Sequence, residues 1–184
     1  MNVFPMFATP LGWTMLEGVD DDALIEYSKK FLIYDDGEAA HSLRGEYIDV
    51  SSPLGPLAAQ VVECANYMHR KTELKGELEI RYAWCNYSNH KDITKPHTHV
   101  GCHLVAIYYP QASDVEITFI NPLSCMENLI APDLIESYNE YNQPQKWVRP
   151  EKGMLLIHPA WVTHYVRSTP SERMSIAFDL TISK

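Results

Sequence analysis

Apolar and polar positions follow two different periods along this chain, and the period changes near residue 77. Before that point, two segments repeat apolar residues every three to four positions, as one face of an α-helix does. The first predicts a helix over Asp20–Tyr34, where aspartates at the start suit the positive helix N-terminus. The second predicts a longer helix over Gly55–Leu74 that ends near Gly76.

After Glu77 the period becomes two, which is typical of a half-buried β-strand. The predicted strands are Leu78–Cys85, Cys102–Tyr109, Val115–Phe119, Met154–Ile157, Val162–Val166 and Arg173–Ile182. This order predicts a mainly β fold, a double-stranded β-helix (jelly-roll or cupin-like) core with the N-terminal helices packed on one sheet. We expect a single domain over 1–184, with a helical part at about 1–76 and a core at about 77–184.

The segment Leu123–Gln143 lacks a clean period and carries Tyr138 and Tyr141. We expect a long insertion between strands that serves as a lid or a binding loop. The alternative is a short surface helix around Leu134–Tyr141 with no role in function.

The composition limits the kinds of binding partner and the cellular compartment that we expect. The net charge of −9 disfavours bulk nucleic-acid binding, because there is no basic stripe to neutralise a phosphate backbone. No apolar run approaches the roughly 18 residues of a membrane span, and the N-terminus lacks the pattern of a secretory signal. The spacing of the four cysteines fits free thiols in a reducing compartment. We therefore expect a cytoplasmic protein without membrane association.

Three histidines are candidates for a metal site. His97 and His99 lie two residues apart on an extended segment, so their side chains point to the same side. His164 follows on a later strand that a jelly roll can bring alongside the first. The three imidazoles predict a facial site for iron, copper, nickel or zinc, and simple packing of the histidines is the alternative.

The last predicted strand carries a second candidate site, which would bind an anion. Its alternation places Arg173 and Ser175 on the face opposite Met174 and Ile176. A buried guanidinium requires an anionic partner, and its fork matches a carboxylate with two hydrogen bonds. The alternative is an arginine at a solvent-exposed strand start.

The order H-x-H, then His, then R-x-S resembles the Fe(II)- and 2-oxoglutarate-dependent oxygenases. The segments PHTHVGCHLVAIYYP, ITFINP and RPEKGMLLIHPAWVTHYVRSTPSERMSIAFDL resemble a family of small stand-alone oxygenases of bacteria and tailed phages, over residues 80 to 182. The resemblance implies hydroxylation of a C–H bond by O₂, with decarboxylation of the cosubstrate 2-oxoglutarate to succinate. For a phage protein the compartment would be the host cytoplasm.

The resemblance also assigns roles to individual residues. It implies that His97 and His164 ligate Fe(II), that Arg173 and Ser175 hold the distal carboxylate of 2-oxoglutarate, and that Asn86 and Tyr108 make further contacts. His99 departs from the superfamily, which mostly has Asp or Glu at that position. We expect His99 to be the third ligand, with Asp92 as the nearest carboxylate that could replace it.

Two other functions stay open at this stage. One is a three-histidine metal oxygenase of the cupin type that does not use 2-oxoglutarate, and the other is a non-catalytic jelly-roll module for binding or virion assembly. The substrate class is a small molecule or a protein side chain. The sequence leaves the oligomeric state open, with a homodimer as one alternative.

Overall fold

The computed structural model describes residues 1–3, 7–34, 39–43, 45, 49, 51–123 and 131–183. The two predicted helices are confirmed as α1 (Asp21–Lys29) and α2 (Leu54–Lys71). Asp20 caps α1, because its side chain accepts a hydrogen bond from the backbone N–H of Ala23. This helix ends earlier than its apolar pattern suggested. None of the helices in these ranges is long and apolar enough to cross a membrane.

In the described part of the chain, ten strands form two antiparallel sheets. They are β1 (Gly12–Met15), β2 (Ala40–His41), β3 (Leu78–Ser88), β4 (Thr94–His97), β5 (Leu104–Gln111), β6 (Ile117–Ile120), β7 (Gln145–Val148), β8 (Met154–Pro159), β9 (His164–Val166) and β10 (Arg173–Ile182). The larger sheet has the order β1-β8-β5-β10-β3-β2, and the smaller sheet has the order β4-β9-β6-β7. This arrangement confirms the jelly-roll core.

Each face of the larger sheet packs against a different apolar layer. One cluster joins α2, through residues such as Leu57 and Val61, to outward-facing strand residues such as Ile176. A second cluster fills the space between the two sheets and includes Ile107, Phe119 and other strand residues. The large sheet is therefore covered by helices on one side and by the smaller sheet on the other.

The predicted alternation of β10 is confirmed. Met174, Ile176 and Phe178 belong to the cluster beneath the helices. Arg173, Ser175 and Ala177 face the space between the sheets, where they line a narrow pocket. A buried strand thus places polar side chains on one face and core side chains on the other.

Three strands escaped the sequence analysis, while β4 forms where only an extended segment was expected. Of these, β1 and β2 lie in the part predicted to be helical, and they pair with β8 and β3 at the two edges of the larger sheet. The third, β7, follows the insertion at the edge of the smaller sheet. All three have four residues or fewer. Segments this short hold too few positions to show a period, and edge pairing fixes them instead.

The insertion is largely irregular in its described part, 131–143. It contains a single short 3-10 helix, Pro132–Leu134. A helix around Leu134–Tyr141 was the wrong alternative, since only Leu134 belongs to the 3-10 helix and residues 135–141 form bends, turns and irregular backbone. Residues 124–130 lie outside the described residues.

Candidate active site

Three histidines converge between two neighbouring strands of the smaller sheet. His97 ends β4 and His164 begins β9, and the two residues are direct partners in the antiparallel pairing. His99 lies two residues beyond the end of β4. One possible ligand atom from each of these side chains lies within 4.8 Å of the other two. The predicted H-x-H and distant histidine therefore form one cluster.

In two of the three rings, Nδ1 already has a hydrogen-bond partner. Nδ1 of His97 lies 2.8 Å from the Lys95 carbonyl, and Nδ1 of His164 lies 3.2 Å from the Val162 carbonyl. Because a carbonyl only accepts, both rings donate from Nδ1, and this tautomer places the lone pair on Nε2. That is the form in which an imidazole binds a metal ion.

Burial keeps the His164 ring in the neutral form that binds a metal ion. Burial, reinforced by the neighbouring His158 and His97, lowers the pKa of His164 to about 2. The His164 ring is therefore neutral at physiological pH. Its Nε2 lone pair is available without the cost of removing a proton.

The third histidine, His99, has a carboxylate as its hydrogen-bond partner at Nδ1. Nδ1 of His99 lies 2.6 Å from Oδ1 of Asp179, and both side chains are 1% exposed. The opposite nitrogen, Nε2, is buried and has no hydrogen-bond partner among the described residues. A buried polar atom without a partner carries a free-energy cost, and a metal ion at the cluster would remove that cost. The donor set thus fits a divalent transition metal.

The same pocket contains the predicted anion-binding residues. Arg173, Ser175 and Asn86 line it together with the three histidines. Ser175 and Asn86 face each other as paired residues of β10 and β3. The structure therefore brings together six of the seven residues expected at the site.

Arg173 has the features of an anion receptor. It is 4% exposed, and its Nε atom has no hydrogen-bond partner in the described part of the chain. No ion pair with a carboxylate occurs there either, and the guanidinium carbon lies 5.2 Å from the centre of the Tyr109 ring. A buried, unpaired guanidinium is costly, whereas a bound carboxylate would satisfy its fork.

Tyr108 is the residue that the structure places elsewhere. Its side chain belongs to the cluster beneath the helices, and its hydroxyl donates a 2.7 Å hydrogen bond to Asp21. The adjacent Tyr109 faces the space between the sheets instead. Burial raises the pKa of Tyr109, and the Arg173 cation opposes that rise. Since β5 is apolar on both faces, the sequence held no alternation that could distinguish the two tyrosines.

The other candidate ligands lie outside the cluster. The Asp92 carboxylate accepts a 2.7 Å hydrogen bond from the backbone N–H of Asn89, and Asp92 is absent from the group that can share one metal ion. Nδ1 of His103 accepts a hydrogen bond from the backbone N–H of Ile182. His158 is closer, because its ring centre lies 4.6 Å from that of His164, yet it also remains outside the ligand group.

Two neighbours of His99 complete the surroundings of the cluster. Trp84 stacks on the His99 ring with ring centres 5.4 Å apart. Asp179, which the sequence analysis missed, lies two positions beyond Ala177 in the alternation of β10. That position was the available signal, since Arg173, Ser175 and Ala177 were already assigned to this face.

Comparison with solved structures supports the fold. The alpha ketoglutarate dependent epimerase SnoN from nogalamycin biosynthesis matches with a TM-score of 0.67 at 13% identity, covering 95% of this chain and 79% of its own. A Pseudomonas putida prolyl-4-hydroxylase matches with a TM-score of 0.63 at 11% identity, covering 96% and 94%. The collagen prolyl hydroxylase vCPH of Paramecium Bursaria Chlorella virus-1 gives 0.62 at 11%, covering 92% and 94%.

Sequence comparison identifies the family. No protein with a curated description matches the sequence. The profile of a family described as "Putative 2OG-Fe(II) oxygenase" matches residues 82–179, a span that includes all three histidines and Arg173. Because the match covers more than half of the chain, the protein belongs to this family of 2-oxoglutarate- and Fe(II)-dependent oxygenases.

Proposed function

We propose that the protein is a dioxygenase that hydroxylates its substrate while converting 2-oxoglutarate to succinate and CO₂. The observation that carries the proposal is a buried guanidinium, without an acidic partner among the described residues, in the same pocket as a three-histidine cluster. A metal ion and a dicarboxylate together would satisfy both. Neither a structural metal site nor a packing cluster needs the arginine.

The roles of the side chains follow from their positions. His97, His99 and His164 would hold Fe(II) through their Nε2 atoms. Arg173 would bind the distal carboxylate of 2-oxoglutarate, with Ser175 and Asn86 beside it on the paired strands. When bound, the iron and 2-oxoglutarate supply the oxidising chemistry, and the protein supplies orientation and an enclosed pocket.

An open groove leads from this pocket to the surface. The groove has a volume of about 690 Å³, and it shares Trp84, Asn86, Thr94 and His97 with the narrow pocket. Because His97 lines both spaces, a substrate in the groove lies next to the metal site. We propose this groove as the substrate entrance, which suits either a small molecule or a side chain of a protein.

The three-histidine oxygenase without 2-oxoglutarate remains the second candidate, and the donor set favours it. Three neutral imidazoles, rather than two and a carboxylate, form the cluster. This alternative leaves the buried Arg173 without a ligand, and for that reason we rank it lower.

Succinate formation separates these functions. The purified protein is incubated with Fe(II), 2-oxoglutarate and O₂, and succinate is measured against a sample without iron. We expect iron-dependent succinate formation that Arg173→Ala abolishes. Arg167→Ala is the matched control, because Arg167 is an exposed arginine beyond the pocket. Metal-dependent O₂ consumption without succinate would favour the second candidate, and neither activity would favour a binding module.

A further inference from the structure

We propose that Asp179 completes the metal site from behind His99, as a positioning residue that supplies the negative charge missing from the ligand set. The inference rests on the proposed metal site. It assigns a role to a residue that touches neither the metal nor the cosubstrate.

The contact between the two side chains is short and isolated. His99 Nδ1 and Asp179 Oδ1 lie 2.6 Å apart, at a place where both side chains are 1% exposed. Oδ2 of Asp179 has no partner, and no Lys or Arg forms an ion pair with Asp179 in the described ranges. Among the described residues, His99 is therefore the hydrogen-bonded partner of this carboxylate, and His158 lies close enough to be affected by its charge.

This contact fixes how the ring presents its other nitrogen. A carboxylate accepts hydrogen bonds, so the proton of a neutral His99 lies on Nδ1 and the lone pair on Nε2. The stacking of Trp84 on the ring and the 2.9 Å hydrogen bond from the His99 backbone N–H to the Ala160 carbonyl restrict it further. Nε2, which lacks a partner, is thereby held for the metal.

The carboxylate also accounts for the departure from the usual ligand set. Two histidines and one carboxylate bring one negative charge to a metal ion. Three neutral histidines bring none, but the group formed by His97, His99, His164 and Asp179 again carries one. Compared with the usual ligand set, the negative charge lies one imidazole ring farther from the metal ion. A buried carboxylate without a cation is costly, and a metal ion on the far side of His99 offsets that cost.

This arrangement predicts an unusual result for substitution at His99. In His99→Asp, the new carboxylate would lie in the same buried space as Asp179. Two carboxylates there repel each other, so His99→Asp alone should bind metal poorly. Removing the charge of Asp179 in that background should restore the usual set of two histidines and one carboxylate.

The experiment is a double-mutant cycle on the full chain, read out as Mn(II) affinity by calorimetry. Asp179→Asn keeps an oxygen that can accept from His99 and removes the charge. We expect it to weaken Mn(II) binding about 10- to 100-fold, the range seen when the residue that accepts from a metal-binding histidine is mutated. In the His99→Asp background the same substitution should instead strengthen binding. Asp114→Asn removes an exposed carboxylate and should leave the affinity unchanged.

The sign reversal separates a charge effect from a structural one. If Asp179 serves only to pack the fold, Asp179→Asn weakens binding in both backgrounds, and the inference is overturned. Equal affinities of Asp179→Asn and the parent would also overturn it, while leaving the proposed function intact. A parent that binds no Mn(II) would contradict both. Thermal unfolding of each variant shows whether it is folded.

Discussion

The two faces of β10 make opposite contributions to the stability of the fold. Its outer face carries Met174, Ile176 and Phe178, which are fully buried beneath the helices. Its inner face carries Arg173 and Asp179, both buried and both with a polar atom that lacks a partner among the described residues. The outer face stabilises the fold, whereas the inner face costs stability until ligands bind. One strand thereby anchors the core and holds the site.

The largest expected effect on stability comes from the outer face. Phe178→Ala should lower the free energy of unfolding by about 3 to 5 kcal/mol, because it leaves a cavity in a well-packed layer. Urea unfolding of the metal-free protein measures this. A loss below 1 kcal/mol would mean that the outer face is loosely packed.

On the inner face, Arg173→Ala should weaken 2-oxoglutarate binding by about 2 to 5 kcal/mol, the range for truncating one member of a buried charge pair. The free energy of unfolding of the metal-free protein should rise rather than fall, because no native ion pair in the described residues is broken and a costly unpaired charge is removed. Calorimetry with the Mn(II)-loaded protein tests the first statement and urea unfolding tests the second. Unchanged affinity would make Arg173 a structural residue only.

A smaller effect concerns pH. Burial lowers the pKa of His158 to about 4, so its ring stays neutral in the folded state while the unfolded chain takes up a proton below about pH 6.5. The unfolded state then binds more protons, and stability is lost as the pH falls from 6.5 toward 4, by at most about 3 kcal/mol.

His158→Phe should flatten this part of the stability profile, measured as the unfolding temperature of the metal-free protein against pH. The slope that remains comes from His164, whose pKa is shifted in the same direction. His90→Gln changes an exposed histidine and serves as the control. A slope equal to that of the parent would show that His158 becomes protonated without unfolding.

The smallest expected effect is that of Ser175→Ala. It removes one hydroxyl from the cosubstrate pocket, and about 1 kcal/mol of 2-oxoglutarate affinity should be lost with it. The same calorimetric titration detects this change. An effect as large as that of Arg173→Ala would place the main carboxylate contact at the serine.

The sequence predicted the inner face of β10 better than it predicted β5, and the reason is physical. Polar and apolar residues alternate in β10, so Arg173 and Ser175 could be placed on one side. The apolar residues of β5 run through both faces, so no alternation in the sequence showed which face Tyr108 would occupy. Alternation carries information only where the two faces of a strand meet different surroundings.

Contacts between distant segments could not be predicted. His99 and Asp179 are 80 residues apart, and the packing of the two sheets brings them together, because His99 follows β4 of the smaller sheet and Asp179 lies on β10 of the larger sheet. The metal cluster could be predicted from the sequence, because the family resemblance and the H-x-H spacing both indicated it. The outer carboxylate had neither signal, although its position in the alternation of β10 was visible.

Whether metal and 2-oxoglutarate occupy one pocket is tested by a single calorimetric experiment. 2-Oxoglutarate is titrated into the parent protein with and without Mn(II), and into a His97→Ala, His164→Ala double variant with Mn(II). We expect one molecule bound per chain in the parent with metal, and a large loss of affinity in the other two samples. Equal binding in all three, or no binding in the metal-loaded parent, would contradict a shared pocket.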